Sequence, residues 1–137
     1  MRKGTRSALG LACAAVLYSA SAPAATVSWF NGTGFWDLVA NWSPSQLPSS
    51  GDDVVINVAG QQTITHRTGS TQIRSIANTG DEIVAITSGS SLTVAANALS
   101  PSTNAGTLRV TGTGSRLRFS GSTFFQAEAL LGLSVRF

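Results

Sequence analysis

Two kinds of apolar pattern run along the chain. The first is an unbroken stretch from Ala8 to Tyr18, preceded by the cations Arg2, Lys3 and Arg6 and followed by Ser19-Ala20-Ser21-Ala22-Pro23-Ala24-Ala25. Charged, then apolar, then small residues predict a secretory signal peptide over 1–24, with an A-x-A site at Ala22-Pro23-Ala24. The apolar stretch falls well short of the ~20 residues that a membrane-spanning helix requires. Beyond it, no segment keeps a 3.6-residue apolar period, so helices are not expected there. Short β-branched runs separated by Gly, Asn and Ser take over, at 53–58, 63–65, 73–76, 83–86, 91–94, 107–110 and 116–119. Such runs predict strands joined by turns, and an all-β chain.

An internal repeat bears on the architecture. Gly89-Ser90-Ser91-Leu92-Thr93-Val94 matches Gly114-Ser115-Arg116-Leu117-Arg118-Phe119 at an offset of 25. Ile83 and Leu108 stand at the same offset, and Asn78-Thr79-Gly80 recurs loosely as Asn104-Ala105-Gly106 at 26. A period of that length, holding two or three short strands, fits one coil of a short right-handed parallel β-helix. Each coil of such a solenoid buries its apolar positions only by stacking on the next. The alternative is an antiparallel β-sandwich, which needs about seven strands, and seven runs are present. No two-residue Asn-Gly or Asp-Gly loop connects the later runs, which favours the solenoid.

Charge changes the picture less than its total implies. Lys+Arg number 9 against Asp+Glu 6, but three of the cations lie in the signal. Beyond it, Arg67, Arg74, Arg109, Arg116, Arg118 and Arg136 balance Asp37, Asp52, Asp53, Asp81, Glu82 and Glu128. A nucleic-acid partner, which a polycationic face would have to hold, is therefore not expected. Cys13 is the only cysteine and sits inside the signal. The exported chain has no disulfide framework and must be held by backbone pairing and packing.

Trp29, Trp36 and Trp42 fall close together after the signal, with Phe30 and Phe35 among them. Two roles suit them. As an N-terminal cap they would plug the open end of the first coil and bury large areas. As an exposed platform they would stack sugar rings, making Trp29, Trp36 and Trp42 candidate glycan contacts. The cap is the favoured reading. It divides the chain into a signal at 1–24, a Trp-rich cap and first strand at 25–60, solenoid coils at 61–122, and a C-terminal segment at 123–137.

The pattern Trp36…Asn41-Trp42…Leu47-Pro48…Gly51-Asp52-Asp53-Val54-Val55-Ile56 resembles the opening of many exported bacterial β-solenoid proteins. These include autotransporter-like passengers and related surface proteins with β-strand repeats. The resemblance covers residues 27–58 and, in style only, the repeats to about 120. It implies a β-helix, a Gram-negative source and a surface location. It carries no catalytic residue across, because such proteins range from adhesins to enzymes.

Other constellations point to structure. Gly51-Asp52-Asp53 and Asp81-Glu82 read as turns whose carboxylates cap backbone amides, since calcium takes six to eight oxygens and the glycine-rich calcium repeat is absent. His66, the only histidine, lies in a Thr-rich strand with no Gly-x-Ser-x-Gly elbow, and is expected to face solvent. Asn31-Gly32-Thr33 and Asn41-Trp42-Ser43 satisfy the glycosylation sequon, which a bacterium would ordinarily leave silent. Leu131-Gly132-Leu133-Ser134-Val135-Arg136-Phe137 resembles the last strand of an outer-membrane barrel, and reads as chance or as the remnant of a longer parent.

The expected function is that of a non-catalytic, secreted or cell-surface β-helix fragment, structural or adhesive, without cofactor or metal. Its expected partners are surface glycans or a host surface, with outer-membrane association only through a longer parent protein. The alternatives are a carbohydrate-binding module and the non-catalytic portion of a polysaccharide-active enzyme.

Overall fold

The structure is a computed structural model that describes residues 24–95 and 102–120. The expected signal peptide, Cys13 and the barrel-like strand at 131–137 lie outside the described residues. What is described is a β-solenoid of about four turns, with three sheets running along its length.

Coil 1 holds β1 (Thr26–Trp29) and β2 (Gly34–Phe35), then a 3-10 turn at Val39–Asn41 and the short β3 (Trp42–Ser43). Coil 2 holds β4 (Asp53–Ile56), β5 (Thr63–His66) and β6 (Ser70–Ile73). Coil 3 repeats the path with β7 (Ser75–Asn78), β8 (Ile83–Ile86) and β9 (Ser91–Val94). Coil 4 follows with β10 (Thr103–Asn104), β11 (Thr107–Val110) and β12 (Arg116–Phe119). The first sheet has the order β10-β7-β4-β1-β3, the second β11-β8-β5-β2, and the third β12-β9-β6. Pairing is parallel everywhere except between β1 and β3. Parallel ladders of this kind are what separates the solenoid from the sandwich, whose neighbours would run antiparallel.

Alternation within each strand builds the core. Inward positions form columns one coil apart: Val27, Val54 and Ile76; Ile64, Val84 and Leu108; Leu92 and Leu117; Ile73, Val94 and Phe119. Most of these side chains are fully buried, each contributing roughly 1.5–3 kcal/mol by leaving water. Outward positions are mostly Ser, Thr, Gln and Arg, with Val55, Ala77, Ile83 and Ala85 as apolar exceptions, so one face of each sheet is the more polar.

Several sequence expectations need correction here. The run at 73–76 is not one strand. Arg74 alone separates β6 from β7, and the chain turns there from the third sheet into the first. Leu108 pairs with Val84, and Ile83 with Thr107, so that part of the repeat is offset by 24. The solenoid also begins before residue 61, because β1 and β2 already pair in parallel with coil 2. The tryptophan segment is thus a coil in its own right.

The corners do not match in length. Between the first and second sheets they span 57–62, 79–82 and 105–106; between the second and third, 67–69, 87–90 and 111–115. Tight corners use left-handed backbone at Gly69, Gly89, Gly112 and Gly114, where a Cβ would be strained. At the 79–82 and 105–106 corners, buried Asn78 donates from Nδ2 to Asn104 Oδ1 at 2.8 Å and to Glu82 O at 3.1 Å. Buried Glu82 reaches back to coil 2, where its Oε1 accepts from the Val58 amide.

Candidate functional site

The site is built at the coil 1 end, where the three indoles and the only histidine converge. Trp29, Trp36 and Trp42 are 2%, 2% and 0% exposed. Trp42 lies edge-on to both others, with centroids 5.0 Å from Trp29 and 4.7 Å from Trp36. Trp29 Nε1 donates to Gly32 O at 3.0 Å and Trp42 Nε1 to Trp36 O at 2.8 Å. An open stacking platform needs accessible ring faces, and these rings spend theirs on one another. Burial of all three leaves none of the open ring faces that the platform reading of Trp29, Trp36 and Trp42 requires, and agrees better with the favoured cap. Large apolar side chains that do stay exposed among the described residues are Phe30, Phe35, Leu38, Val39 and Leu47, all in the same end of the molecule.

Asn41 locks this segment. Its Nδ2 donates to Phe35 O at 2.9 Å and its Oδ1 accepts from Asn31 Nδ2 at 2.8 Å. The two sequon asparagines are thus partners of each other.

His66 is 1% exposed, which overturns the expectation of a solvent-facing side chain. Strand alternation puts it on the same face as Ile64, in the column that continues to Ile86 and Val110. On its other side lies Trp36, its ring centroid 5.7 Å away, because Trp36 N donates to Thr65 O and so extends the β2–β5 ladder by one residue. Burial holds the His66 pKa below the ordinary 6.5, against a smaller upward pull from Asp37. The ring is therefore neutral at neutral pH, with one nitrogen protonated and the other bare. Nε2 pairs with Thr71 Oγ1 at 2.9 Å, while Nδ1 and Trp36 Nε1 are buried without partners.

The same register brings Asp37 to Arg67. Nε and Nη2 of Arg67 each donate to one carboxylate oxygen of Asp37 at 3.1 Å. The guanidinium also lies 3.5 Å over the Phe35 ring, a cation–π contact. The Arg67 hydrogen bond holds the Asp37 carboxyl below the usual carboxylate range.

A cavity of about 190 Å³ opens beside this pair, lined by Trp36, Asp37, Leu47, Pro48, His66, Arg67, Thr68 and Thr71. Its origin is topological. The third sheet has no coil 1 strand beneath β6 among the described residues. Asp52 O accepts from Arg74 N at 2.8 Å, so the residues just before Asp52 stand where that strand would run. They turn instead. Asp52 Oδ2 accepts from Ser49 N and Oγ, and Asp52 N donates to Ser49 O. The column Leu117–Leu92–Thr71 consequently ends on open space below Thr71.

No protein-family model, curated protein or solved structure matches the chain.

The remaining ionisable groups serve the stack. Asp52 caps the turn as its sequence predicted. Asp53 does not cap: it pairs bidentately with Arg74 and accepts from Ser75 Oγ at 2.6 Å. Among the described residues no three His, Cys, Asp or Glu side chains gather to hold a metal ion. The cavity and the Asp37–Arg67 pair carried no local sequence signal, since the partners stand 30 residues apart. The β2–β5 register, itself offset by 30, is what aligns them.

Proposed function

We propose that the chain is a non-catalytic β-solenoid section of an exported, autotransporter-like bacterial surface protein, with a structural or adhesive role. One observation carries the non-catalytic part. Of the acidic side chains among the described residues, Asp37 is held by Arg67, Asp52 by Ser49, Asp53 by Arg74 and Ser75, and Glu82 by the Val58 amide. Asp81 alone stands outside such contacts. Glycoside hydrolysis needs two facing carboxylates free to move protons or attack carbon, and these carboxylates are tied to the scaffold. Export is supported by the cationic, apolar and small-residue order of 1–24. A domain without disulfides, bound by continuous parallel ladders, suits a surface that must present side chains at fixed spacing.

The test is an immunoblot of fractionated source cells with an antibody against residues 26–60. Protein in the medium, periplasm or surface fraction is the expected result, and a band confined to the cytosol overturns export. Incubation of the purified protein with a panel of polysaccharides checks the other half: new reducing ends would overturn the non-catalytic assignment.

A further inference from the structure

The cavity under Thr71 sets an apolar wall against a charged pair and two hydroxyls. At about 190 Å³ it is smaller than the ~300–1,000 Å³ of sites for drug-sized ligands, so it suits one ring rather than an extended chain. Leu47 and Pro48 give it an apolar side. Its polar side is the Asp37–Arg67 pair, whose side chains are 30% and 40% exposed.

That pair is neutral as a unit and still has unused capacity. Two of the five guanidinium N–H groups are committed to Asp37, and each carboxylate oxygen keeps a free lone pair. A donor and an acceptor therefore stand side by side, which matches two adjacent hydroxyls. Thr71 adds a second argument. Its hydroxyl pairs with one nitrogen of neutral His66. If Nε2 donates, Thr71 has its proton left to offer the cavity; if Nε2 accepts, Thr71 has lone pairs left. A hydroxyl ligand answers either state because it both donates and accepts, whereas a carboxylate or ammonium answers only one. Trp36 Nε1 and His66 Nδ1 are closed to solvent, so first contact falls to Asp37, Arg67, Thr68 and Thr71.

We propose that this cavity is a subsite for one neutral sugar ring, the terminal or branch unit of a glycan. Adjacent ring hydroxyls meet Asp37 and Arg67, and the C–H face lies against Leu47 and Pro48. The proposal gives a ligand class to the adhesive reading above and rests on it. It also moves glycan contact away from the indole platform, since Trp36 contributes only a wall.

Saturation-transfer NMR on the exported chain tests it, with D-glucose, D-galactose, D-mannose and N-acetyl-D-glucosamine as probes and D-glucuronate as the anionic control. A single ring with few contacts is expected to bind at a Kd on the order of 1 mM. Thr68→Trp is the blocking variant, because Thr68 is exposed at a corner and an indole there fills the mouth without disturbing the core. It should abolish transfer while leaving the thermal unfolding of the protein unchanged. Asp37→Asn should weaken neutral-sugar binding about tenfold and, by freeing Arg67, raise the glucuronate signal. Arg118→Gln, in coil 4, should change nothing. The proposal is overturned if no neutral sugar shows transfer from the folded protein, if Thr68→Trp binds as well as the parent, or if glucuronate gives the stronger signal in the parent. Surface localisation without sugar binding would remove this assignment alone; cytosolic localisation would remove the reading beneath it.

Discussion

Asn78 and Asn104 occupy the same inward position one coil apart, and the side-chain amide of Asn78 donates to Oδ1 of Asn104 at 2.8 Å. The coil 2 residue in that column is Ile56, so an apolar column turns polar where the corner tightens. The reason is backbone supply. The shortened corner at 105–106 brings backbone oxygens within reach of both side-chain amides: Asn78 Nδ2 joins the Thr107 amide on Glu82 O, and Asn104 Nδ2 takes up Gly106 O. Replacing Asn78 by Ala removes two hydrogen bonds at a buried corner, those to Glu82 O (which keeps the Thr107 amide) and to Asn104 Oδ1, and should cost about 2 kcal/mol. Asn104→Ala, at a half-buried position, should cost about half as much. Urea denaturation of both variants checks the ranking.

Gly106 sits where no side chain fits. A Cβ there would overlap the Glu82 carbonyl oxygen and stand 2.7 Å from Asn78 Nδ2 and 2.9 Å from Gly80 O. Two of these obstacles are backbone, so they cannot swing aside. Gly106→Ala should destabilise by about 3 kcal/mol and loosen coil 4 first. Hydrogen exchange should show protection falling in Thr107–Val110 before it falls in Asp53–Ile56.

His66 makes stability depend on pH. Its folded pKa is depressed by burial, so the unfolded chain takes up a proton as pH falls past about 6.5 while the folded chain does not. The contribution is therefore complete above that pH. It declines as pH is lowered, until the folded-state pKa is reached. Thermal unfolding between pH 7.5 and pH 5.5 (roughly one unit either side of the unbound histidine value) should show a falling Tm. Substituting His66→Leu, which continues its apolar column, should flatten that slope. Asp37 and Asp53, whose pKa values are lowered chiefly by Arg67 and Arg74, add a separate loss nearer pH 4 and below.

Leu92 lies at the centre of the third sheet, fully buried between Thr71 and Leu117. Its truncation to Ala should remove about 3 kcal/mol, within the lower half of the range for a leucine whose surroundings relax only in part. Leu117→Ala should cost less, because Leu117 is only partly buried. Equal costs would mean that the coil 4 end is packed as tightly as the middle.

Legibility followed the range of the interactions. Strands 83–86, 91–94, 107–110 and 116–119 stand where their β-branched alternation put them, because alternation is local. Thr63–His66 carried the same alternation, and its period placed His66 with Ile64; the expectation failed by trusting the Thr-rich composition over the period. The corner at Arg74 was hidden inside a run that is apolar at both ends, since Ile73 closes one sheet and Ile76 lies in the next. β1, β2 and β3 are not legible as strands in the sequence, because tryptophan bulk and short length obscure any alternation there. The candidate cavity was illegible for a different reason. It arises from the absence of a strand, and depends on residues brought together by a 30-residue coil, longer than the repeat visible in the later chain.

Arg74 is the only residue between two strands that belong to different sheets, and this sets where the chain can change length. One residue added or removed there would invert the side-chain alternation of β7, turning Ile76 outward and Ala77 in. The described corners between the first and second sheets and between the second and third range from 105–106 to 57–62 and already absorb such differences between coils. A graft or affinity tag inserted within 57–62 should leave the stack intact, whereas the same insertion beside Arg74 should unfold it. Among the described residues the path is thus modular at its longer corners and closely counted at Arg74, which makes that point the natural place from which to number the coils.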